Sequence, residues 1–242
     1  MSDDLRPHAT GAAALRAEGL TDVRAFPSAA TLPGAAALFY RFPNPWILTL
    51  KAVLFAAARP FLGPIGWWDL AILGAIAIYW PFQEWAAHVF ILHLRPRKIG
   101  RLRFDPRFAR VHRAHHREPW IVERTFVPTH IIVSLIPVNL AFWWLITPTP
   151  GLAATGIAGF TFAALVYEWI HYLVHTPRKP RSRWFRRVWK NHRLHHFKNE
   201  RYWHAFAAPI VDRIFGTAPD HRQVEISETV RTLGVADELG EA

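Results

Sequence analysis

Long apolar segments constrain this chain more than any other feature. They occupy residues 46–66, 70–94, 126–147 and 151–174. A bilayer core requires about 20 consecutive apolar residues, so these lengths indicate membrane-spanning helices. The first segment is the weakest candidate for a membrane span because it contains Lys51 and Arg59. It spans the bilayer if these cations lie near its ends or face partner helices, and otherwise it lies in the membrane interface. We therefore predict an all-α integral membrane protein with about four transmembrane helices.

The joints between these segments predict two hairpins. Gly63–Gly66 connects the first pair, and the breaker-rich residues 147–151 connect the second. Residues 95–125 carry ten Lys and Arg against three acids, and residues 176–201 carry ten against Glu200 alone. Cytoplasmic loops are enriched in Lys and Arg, so both basic segments and the C-terminus are expected in the cytoplasm.

Composition narrows the remaining classes of protein. The net charge of +11 fits either a nucleic-acid binder or a membrane protein, but basic loops beside spanning helices need no nucleic acid. The absence of cysteine excludes disulfide scaffolds, zinc ribbons and thiol catalysis. We expect residues 1–45 to form a mobile N-terminal arm without a signal peptide, 46–220 a membrane-embedded domain, and 221–242 a C-terminal tail.

Ten of the fourteen histidines fall into four groups with metal-ligand spacing. The groups are His88 and His93; His112, His115 and His116; His171 and His175; and His192, His195 and His196. Helix positions i, i+3 and i+4 lie within an arc of about 100°, so each group of three presents its imidazoles on one side. His88 and His93 lie about 140° apart on an ideal helix, so they share a site only if the helix ends or distorts, and otherwise reach different ions.

The groups are placed where they can converge. Two lie at the cytoplasmic ends of the second and fourth apolar segments, and two lie in the basic stretches beyond. The basic stretches carry amphipathic stripes formed by Phe104, Phe108, Val111, His112 and His115, and by Phe185, Val188, His192 and His195. We therefore expect a cytoplasmic helical cap that lays its histidines over the ends of the membrane helices.

Ten imidazoles are too many for one ion, whereas two ions with about five ligands each would use them all. A structural zinc ion is satisfied by four ligands, so this number favours a two-metal centre with redox or oxygen chemistry. We interpret Glu84 and Glu168 as partners that orient ring nitrogens, with direct ligation as the alternative. His130 is expected in the core, His8 and His221 at the surface, and His204 is unassigned.

Two other metal sites fit the pattern less well. A bis-histidine haem would need single histidines in the middle of facing spans, and a zincin protease would need H-E-x-x-H, which is absent.

The segments HVFILH, HRAHH, HYLVH and NHRLHH, followed by DRIFGT at 212–217, resemble the fatty acid hydroxylase/sterol desaturase superfamily of membrane di-iron oxygenases. The resemblance covers about residues 80–220. The H-x4-H spacing after Glu84 and Trp85 is more similar to fatty acid 2-hydroxylases and carotenoid hydroxylases than to sterol desaturases. Where relatives commonly have a Phe-Gly-Val-Thr-like segment, this chain has residues 204–207 (HAFA).

The resemblance implies an oxidoreductase that attacks an unactivated C–H bond of a membrane lipid. It implies two iron ions, with zinc as a substitute, and O2 as co-substrate. It also implies an external electron donor, either a ferredoxin or a cytochrome b5-like protein with its reductase. Hydroxylation of a fatty acyl chain is the leading hypothesis. The alternatives are a sterol or carotenoid desaturase or hydroxylase, and a non-enzymatic metal-binding membrane protein.

Overall fold

The computed structural model describes residues 19–235, which are mostly helical. The α-helices are α1 (Leu32–Phe39), α2 (Pro43–Ala58), α3 (Trp67–Ala87), α4 (Arg107–Arg117), α5 (Val122–Thr125), α6 (Thr129–Ile146), α7 (Pro150–His175), α8 (Arg183–Phe197) and α9 (Ile210–Ile214). Strand β1 (Arg97–Ile99) pairs antiparallel with β2 (Leu102–Phe104). The predicted all-α class is confirmed. Phe104 lies in this small hairpin rather than on the amphipathic helix that follows.

Three stretches are long and apolar enough to cross a membrane. They are Pro43–Leu62, Val122–Ile146 and Pro150–His175. The first sequence segment, which we expected to be the weakest, is thus among them. Helix α3, in the second of the four expected spans, is not among them, although it is 21 residues long and exposes apolar side chains along its length.

The second predicted hairpin is present, since α6 packs against α7. The two helices of the first, α2 and α3, each pack against α7, and a buried ion pair closes the joint between them. The Arg59 guanidinium donates to both carboxylate oxygens of Asp69 at 2.7 and 2.8 Å, and to the carbonyls of Gly63 and Pro64 in the joint. It also donates to Thr155 Oγ1 on α7. A buried charge is tolerated only when it is paired and hydrogen-bonded, so Arg59 faces partner helices rather than lipid.

Helix α7 is the central element, packed against α2, α3 and α6. Its approach to α6 is close: a Cβ added at Gly156 would lie 2.1 Å from the Trp143 ring. Lys51 on α2 donates to Asn139 Oδ1 on α6 at 2.7 Å, so this ammonium group has a hydrogen-bond partner on a neighbouring helix. These contacts hold α7, and with it His171 and His175, in a fixed position at one end of the bundle.

The expected boundaries at both ends of the chain need correction. Val23, Ala29 and Phe39 are buried in the main core, and the Val23 amide donates to the Trp120 carbonyl at 2.9 Å, so residues 20–39 are packed rather than a mobile arm. Residues 1–18 of the expected arm and 236–242 of the expected tail lie outside the described residues. Val230 and Leu233 are also buried, so the described part of the tail belongs to the same unit.

Candidate metal centre

The structure gathers the ten predicted histidines into two groups of five. The first group contains His88, His93, His112, His116 and His195, and the second contains His115, His171, His175, His192 and His196. Within each group, the candidate ligand nitrogens all lie within 4.8 Å of one another. Each group is the size that the count of ten imidazoles predicts for one of two ions.

A local change of helix type brings His88 and His93 together. Residues His88–Leu92 form a π-helical turn, and the His93 amide donates to the His88 carbonyl, five residues back, at 3.3 Å. In a π-turn, a backbone hydrogen bond joins residues i and i+5, so their side chains lie on nearly the same side of the helix. In an α-helix, the same two side chains would lie about 140° apart around the axis. Of the two alternatives, the helix is therefore distorted, and His88 and His93 belong to one group. Their ring centres lie 4.9 Å apart.

The two cap helices divide their histidines between the groups. On α4, His112 and His116 join the first group, and His115 joins the second. On α8, the division is reversed, because His192 and His196 join the second group and His195 joins the first. Residues four apart lie on nearly the same face, whereas the third is rotated away from them. Each cap helix therefore lies between the two groups and contributes to both.

Backbone carbonyls orient three rings of the first group. The Nδ1 atoms of His88, His116 and His195 lie 2.7, 3.0 and 2.7 Å from the carbonyl oxygens of His204, Val230 and Tyr202. A ring that donates from Nδ1 keeps the lone pair of Nε2 available for a metal ion, which is how a second contact sets the tautomer of a ligand histidine. Sequence reasoning missed these partners because a carbonyl belongs to every residue.

The geometry of the nitrogens fits metal ions. The Nε2 atoms of His115 and His171 face each other at 3.1 Å, those of His175 and His192 at 2.8 Å, and those of His116 and His195 at 3.2 Å. Two nitrogens that bind one ion at about 2.1 Å, with an N–metal–N angle of about 90°, are about 3 Å apart. Buried Nε2 atoms of His88, His93 and His112 have no hydrogen-bond partner among the described residues.

Burial also favours the protonation state that binds metal. Desolvation lowers the pKa of the histidines on α4 and α8 well below the ordinary value for imidazole, and neighbouring imidazoles lower it further. These rings are therefore neutral at physiological pH. Neutral imidazole is the form that coordinates metal ions.

The two glutamates have partners other than those expected. Glu84 Oε1 accepts the backbone N–H groups of Phe206 and Ala207, the second at 2.8 Å. Glu168 Oε1 accepts the Val127 N–H at 3.0 Å. Neither carboxylate makes a recorded hydrogen bond to an imidazole in the described chain, so the expectation that they orient ring nitrogens directly needs correction. They instead hold the loops that surround the histidines, since buried backbone donors require acceptors.

The loop after α8 contributes more to the site than its sequence indicated. Its His204 is buried, with its ring centre 5.0 Å from that of His195 and 5.2 Å from that of His88, but it belongs to neither group of five. The ring centre of Phe206 lies 4.4 Å from that of His192 and 4.8 Å from that of His171. The same loop therefore presents an imidazole to the first group and a phenyl ring to the second.

One buried carboxylate fixes this loop. Asp212, at the start of the DRIFGT segment, accepts the backbone N–H groups of His204 and Ala205 at 2.9 and 3.0 Å and the hydroxyl of Thr217 at 2.7 Å. Burial raises the pKa of the Asp212 carboxyl, and these hydrogen bonds oppose that rise. The motif is therefore structural support for the carbonyls that hold the first group.

His130 and His221 belong to neither group of five. His130 is exposed at the first turn of α6, so the expectation that it lies in the core is wrong, and the start of a helix at the end of an apolar segment explains the exposure. His221 lies near the surface, 3.3 Å from Asp220. His8 lies outside the described residues.

Several characterised proteins are similar to this chain. The dihydroceramide fatty acyl 2-hydroxylase FAH2 of Arabidopsis thaliana is 27% identical over 185 residues, which cover 75% of this chain and 74% of that protein. The fatty acid 2-hydroxylase of Mus musculus is 25% identical over 151 residues, which cover 61% and 39%. A solved structure described as full-length scs7p, with only the hydroxylase domain visible, superposes with a TM-score of 0.62 at 21% identity, over 76% of this chain and 68% of that one.

The structural match shows a shared fold. The family model for fatty acid hydroxylases matches residues 73–217, which is more than half of the chain and includes all four histidine groups. The chain therefore belongs to the fatty acid hydroxylase family.

Proposed function

We propose that this protein hydroxylates a C–H bond of a fatty acyl chain in a membrane lipid. The observation that carries this proposal is the pair of buried five-histidine groups at one end of an apolar helical bundle. We infer that an acyl chain reaches this site from the bilayer. The relatives named as fatty acyl 2-hydroxylases favour the acyl chain over a sterol or carotenoid, and favour carbon 2 as the position attacked.

We propose further that each group of five holds one iron ion, with zinc as a substitute, because imidazole binds both metals. When bound, the two irons supply the redox chemistry by which O2 is activated. The ten ligands would be His88, His93, His112, His115, His116, His171, His175, His192, His195 and His196. The facing Nε2 atoms and the unpartnered buried nitrogens support this assignment.

The chain's own residues would exclude water and hold the ligands. Nine of the ten imidazoles lie on helices or on the π-turn, so their positions are set by packed backbone rather than by mobile loops. Phe206 stacks on His88 and makes an edge contact with Tyr167. These two aromatic rings form an apolar wall beside the histidine groups. A dry, apolar environment protects a reactive oxygen species from side reactions with water.

We propose that the histidine groups and the C-terminus lie in the cytoplasm. The excess of Lys and Arg in residues 95–125 and 176–201 supports this orientation. The reaction R–H + O2 + 2 e⁻ + 2 H⁺ → R–OH + H2O needs two electrons, so we also propose a separate one-electron carrier of the ferredoxin or cytochrome b5 type. Reduced carriers of this kind are available in the cytoplasm.

Lipid analysis under labelled oxygen tests the function. Cells that express the protein are grown under ¹⁸O2, and their fatty acids are compared with those of cells that express His171→Ala. Incorporation of one ¹⁸O atom into an acyl hydroxyl group, at carbon 2 by fragmentation, is the expected result. A loss of two hydrogens without oxygen would instead show desaturation, and labelled sterol or carotenoid would show that the acyl assignment is wrong.

A further inference from the structure

A basic concavity lies on the outer side of the cap, behind the first histidine group. It has a volume of about 340 Å³ and lies between α8 and the segment around α9. Four of its lining residues are exposed cations, namely Arg186, Arg187, Lys190 and Arg213. Asp220 is the one acidic residue in the lining, and none of the four cations forms a recorded salt bridge within residues 19–235. The concavity therefore presents a net positive charge.

The floor of this concavity is joined directly to the first histidine group. Trp203 lines the concavity, and its two chain neighbours use their carbonyls to hold the site: Tyr202 accepts from His195 and His204 accepts from His88, both at 2.7 Å. Leu194, next to His195 on α8, also lines the concavity. One peptide unit and one hydrogen bond thus separate the floor from an imidazole of the first group.

The backbone at Trp203 is held in an unusual conformation. Its φ is +59°, which a non-glycine residue adopts only at a cost, and its N–H donates to the Thr217 carbonyl at 2.8 Å. This conformation lets the carbonyls of its two neighbours reach the histidines while the indole lies under the basic concavity. The strain is therefore located at the connection between the surface and the site.

We propose that this concavity is the docking surface for the electron carrier, a small protein with an acidic face around its redox group. The inference rests on the proposed function, because only a redox reaction needs such a carrier. Charge complementarity identifies the partner, since opposite potentials steer encounter and fix orientation. Each turnover oxidises two carrier molecules by one electron each, and these are the two electrons that the hydroxylation consumes. The short connection through Trp203, Tyr202 and His195 is what distinguishes this basic patch from others on the cap.

Charge reversal in the concavity tests the proposal by binding as well as by turnover. The variant carries Arg187→Glu, Lys190→Glu and Arg213→Glu, none of which has a recorded side-chain hydrogen bond. The matched control carries Lys98→Glu, Arg101→Glu and Arg107→Glu, at three residues that are also exposed and lie on the β-hairpin and at the start of α4. Binding of an acidic [2Fe–2S] ferredoxin and of a soluble cytochrome b5 haem domain is measured on the purified full chain at low and high salt.

We expect the concavity variant to bind at least one of these carriers about tenfold or more weakly at low salt, with the difference shrinking as salt screens the charges. The control should bind like the wild type. Equal loss in both variants, or no carrier binding to the wild type at low salt, would overturn the proposal. So would a variant that loses only binding to vesicles containing anionic lipid, because the concavity would then contact the membrane.

A single-turnover experiment separates this proposal from the proposed function. Chemically reduced, iron-loaded protein is exposed to O2 with lipid substrate and no carrier. The concavity variant should form as much hydroxylated product as the wild type, whereas its carrier-driven turnover falls. If the wild type forms no product under these conditions, the hydroxylase function fails, and the binding data still decide whether the concavity docks a carrier.

Discussion

Replacement of Glu84 should weaken metal binding although this carboxylate makes no recorded hydrogen bond to a histidine. Its Oε1 accepts the N–H groups of Phe206 and Ala207, in the loop whose His204 carbonyl holds His88. In Glu84→Ala, both donors lose their acceptor. An unsatisfied buried N–H costs about 1–3 kcal/mol, so the loop loses roughly 2–6 kcal/mol of stabilisation.

Only part of this lost stabilisation of the loop should appear as a lower affinity for metal. The loop touches the first group through the His204 and Tyr202 carbonyls, and Asp212 still holds it from the other side. Removal of the outer partner of a ligand histidine typically costs about 10–100-fold in metal affinity. We therefore expect a 10–100-fold increase in Kd for one of two ions, because the second group has no recorded contact with these carbonyls.

Glu84→Gln is the matched control. Both N–H groups donate to the same oxygen of Glu84, and a glutamine amide oxygen at that position can accept both, so its metal affinity should stay close to that of the wild type. The assay is titration of the metal-free protein in detergent with Zn²⁺ against a fluorescent chelator, together with thermal unfolding of each variant. Wild-type affinity in Glu84→Ala would refute the reasoning. Equal loss in both variants would show that charge, not the hydrogen bonds, matters.

Further outcomes test the same geometry. Alanine at any one of the ten clustered histidines should abolish hydroxylation, whereas His221→Ala should not; lipid turnover assays that find two or more active variants would contradict the site. Elemental analysis of active protein should give two ions per chain, with iron in the active form, and one ion or none would refute the pair. His204→Phe should retain both ions, because its backbone makes the supporting bonds; loss of one would make its ring a ligand. A reporter fused after Pro150 should be active only outside the cytoplasm, and one fused at the C-terminus should be active only inside. Activity of both reporters on the same side of the membrane would exclude a spanning hairpin.

Much of the architecture could be predicted because its signals are local. Apolar length located Val122–Ile146 and Pro150–His175, and the breakers at 147–151 located the turn between them. The helical period placed three histidines on one side of α4 and of α8. What the period could not show is that each cap helix lies between two groups and divides its histidines, since that depends on where α3 and α7 end relative to the cap.

Other features depend on parts of the chain that are distant in sequence. Residues 1–45 looked like an arm because they mix charged side chains with several Gly, Pro and Ala residues, yet Tyr172 on α7 donates to the Ala35 carbonyl at 3.1 Å. Glu84 looked like a partner of histidines because it is four residues from His88. Its acceptor role for residues 206 and 207 exists only because the loop after α8 folds back over α3.

The sequence alone therefore determined which ten imidazoles can converge, since covalent spacing and helical period are properties of the chain itself. Tertiary structure decided how they are shared between two groups and what holds them. The π-turn at His88–Leu92 brings His88 and His93 into register, and the carbonyls of Tyr202, His204 and Val230 orient three rings. The physical reason is that every residue carries a carbonyl, so side-chain identity gives no signal for which carbonyl will face a histidine once the helices have packed.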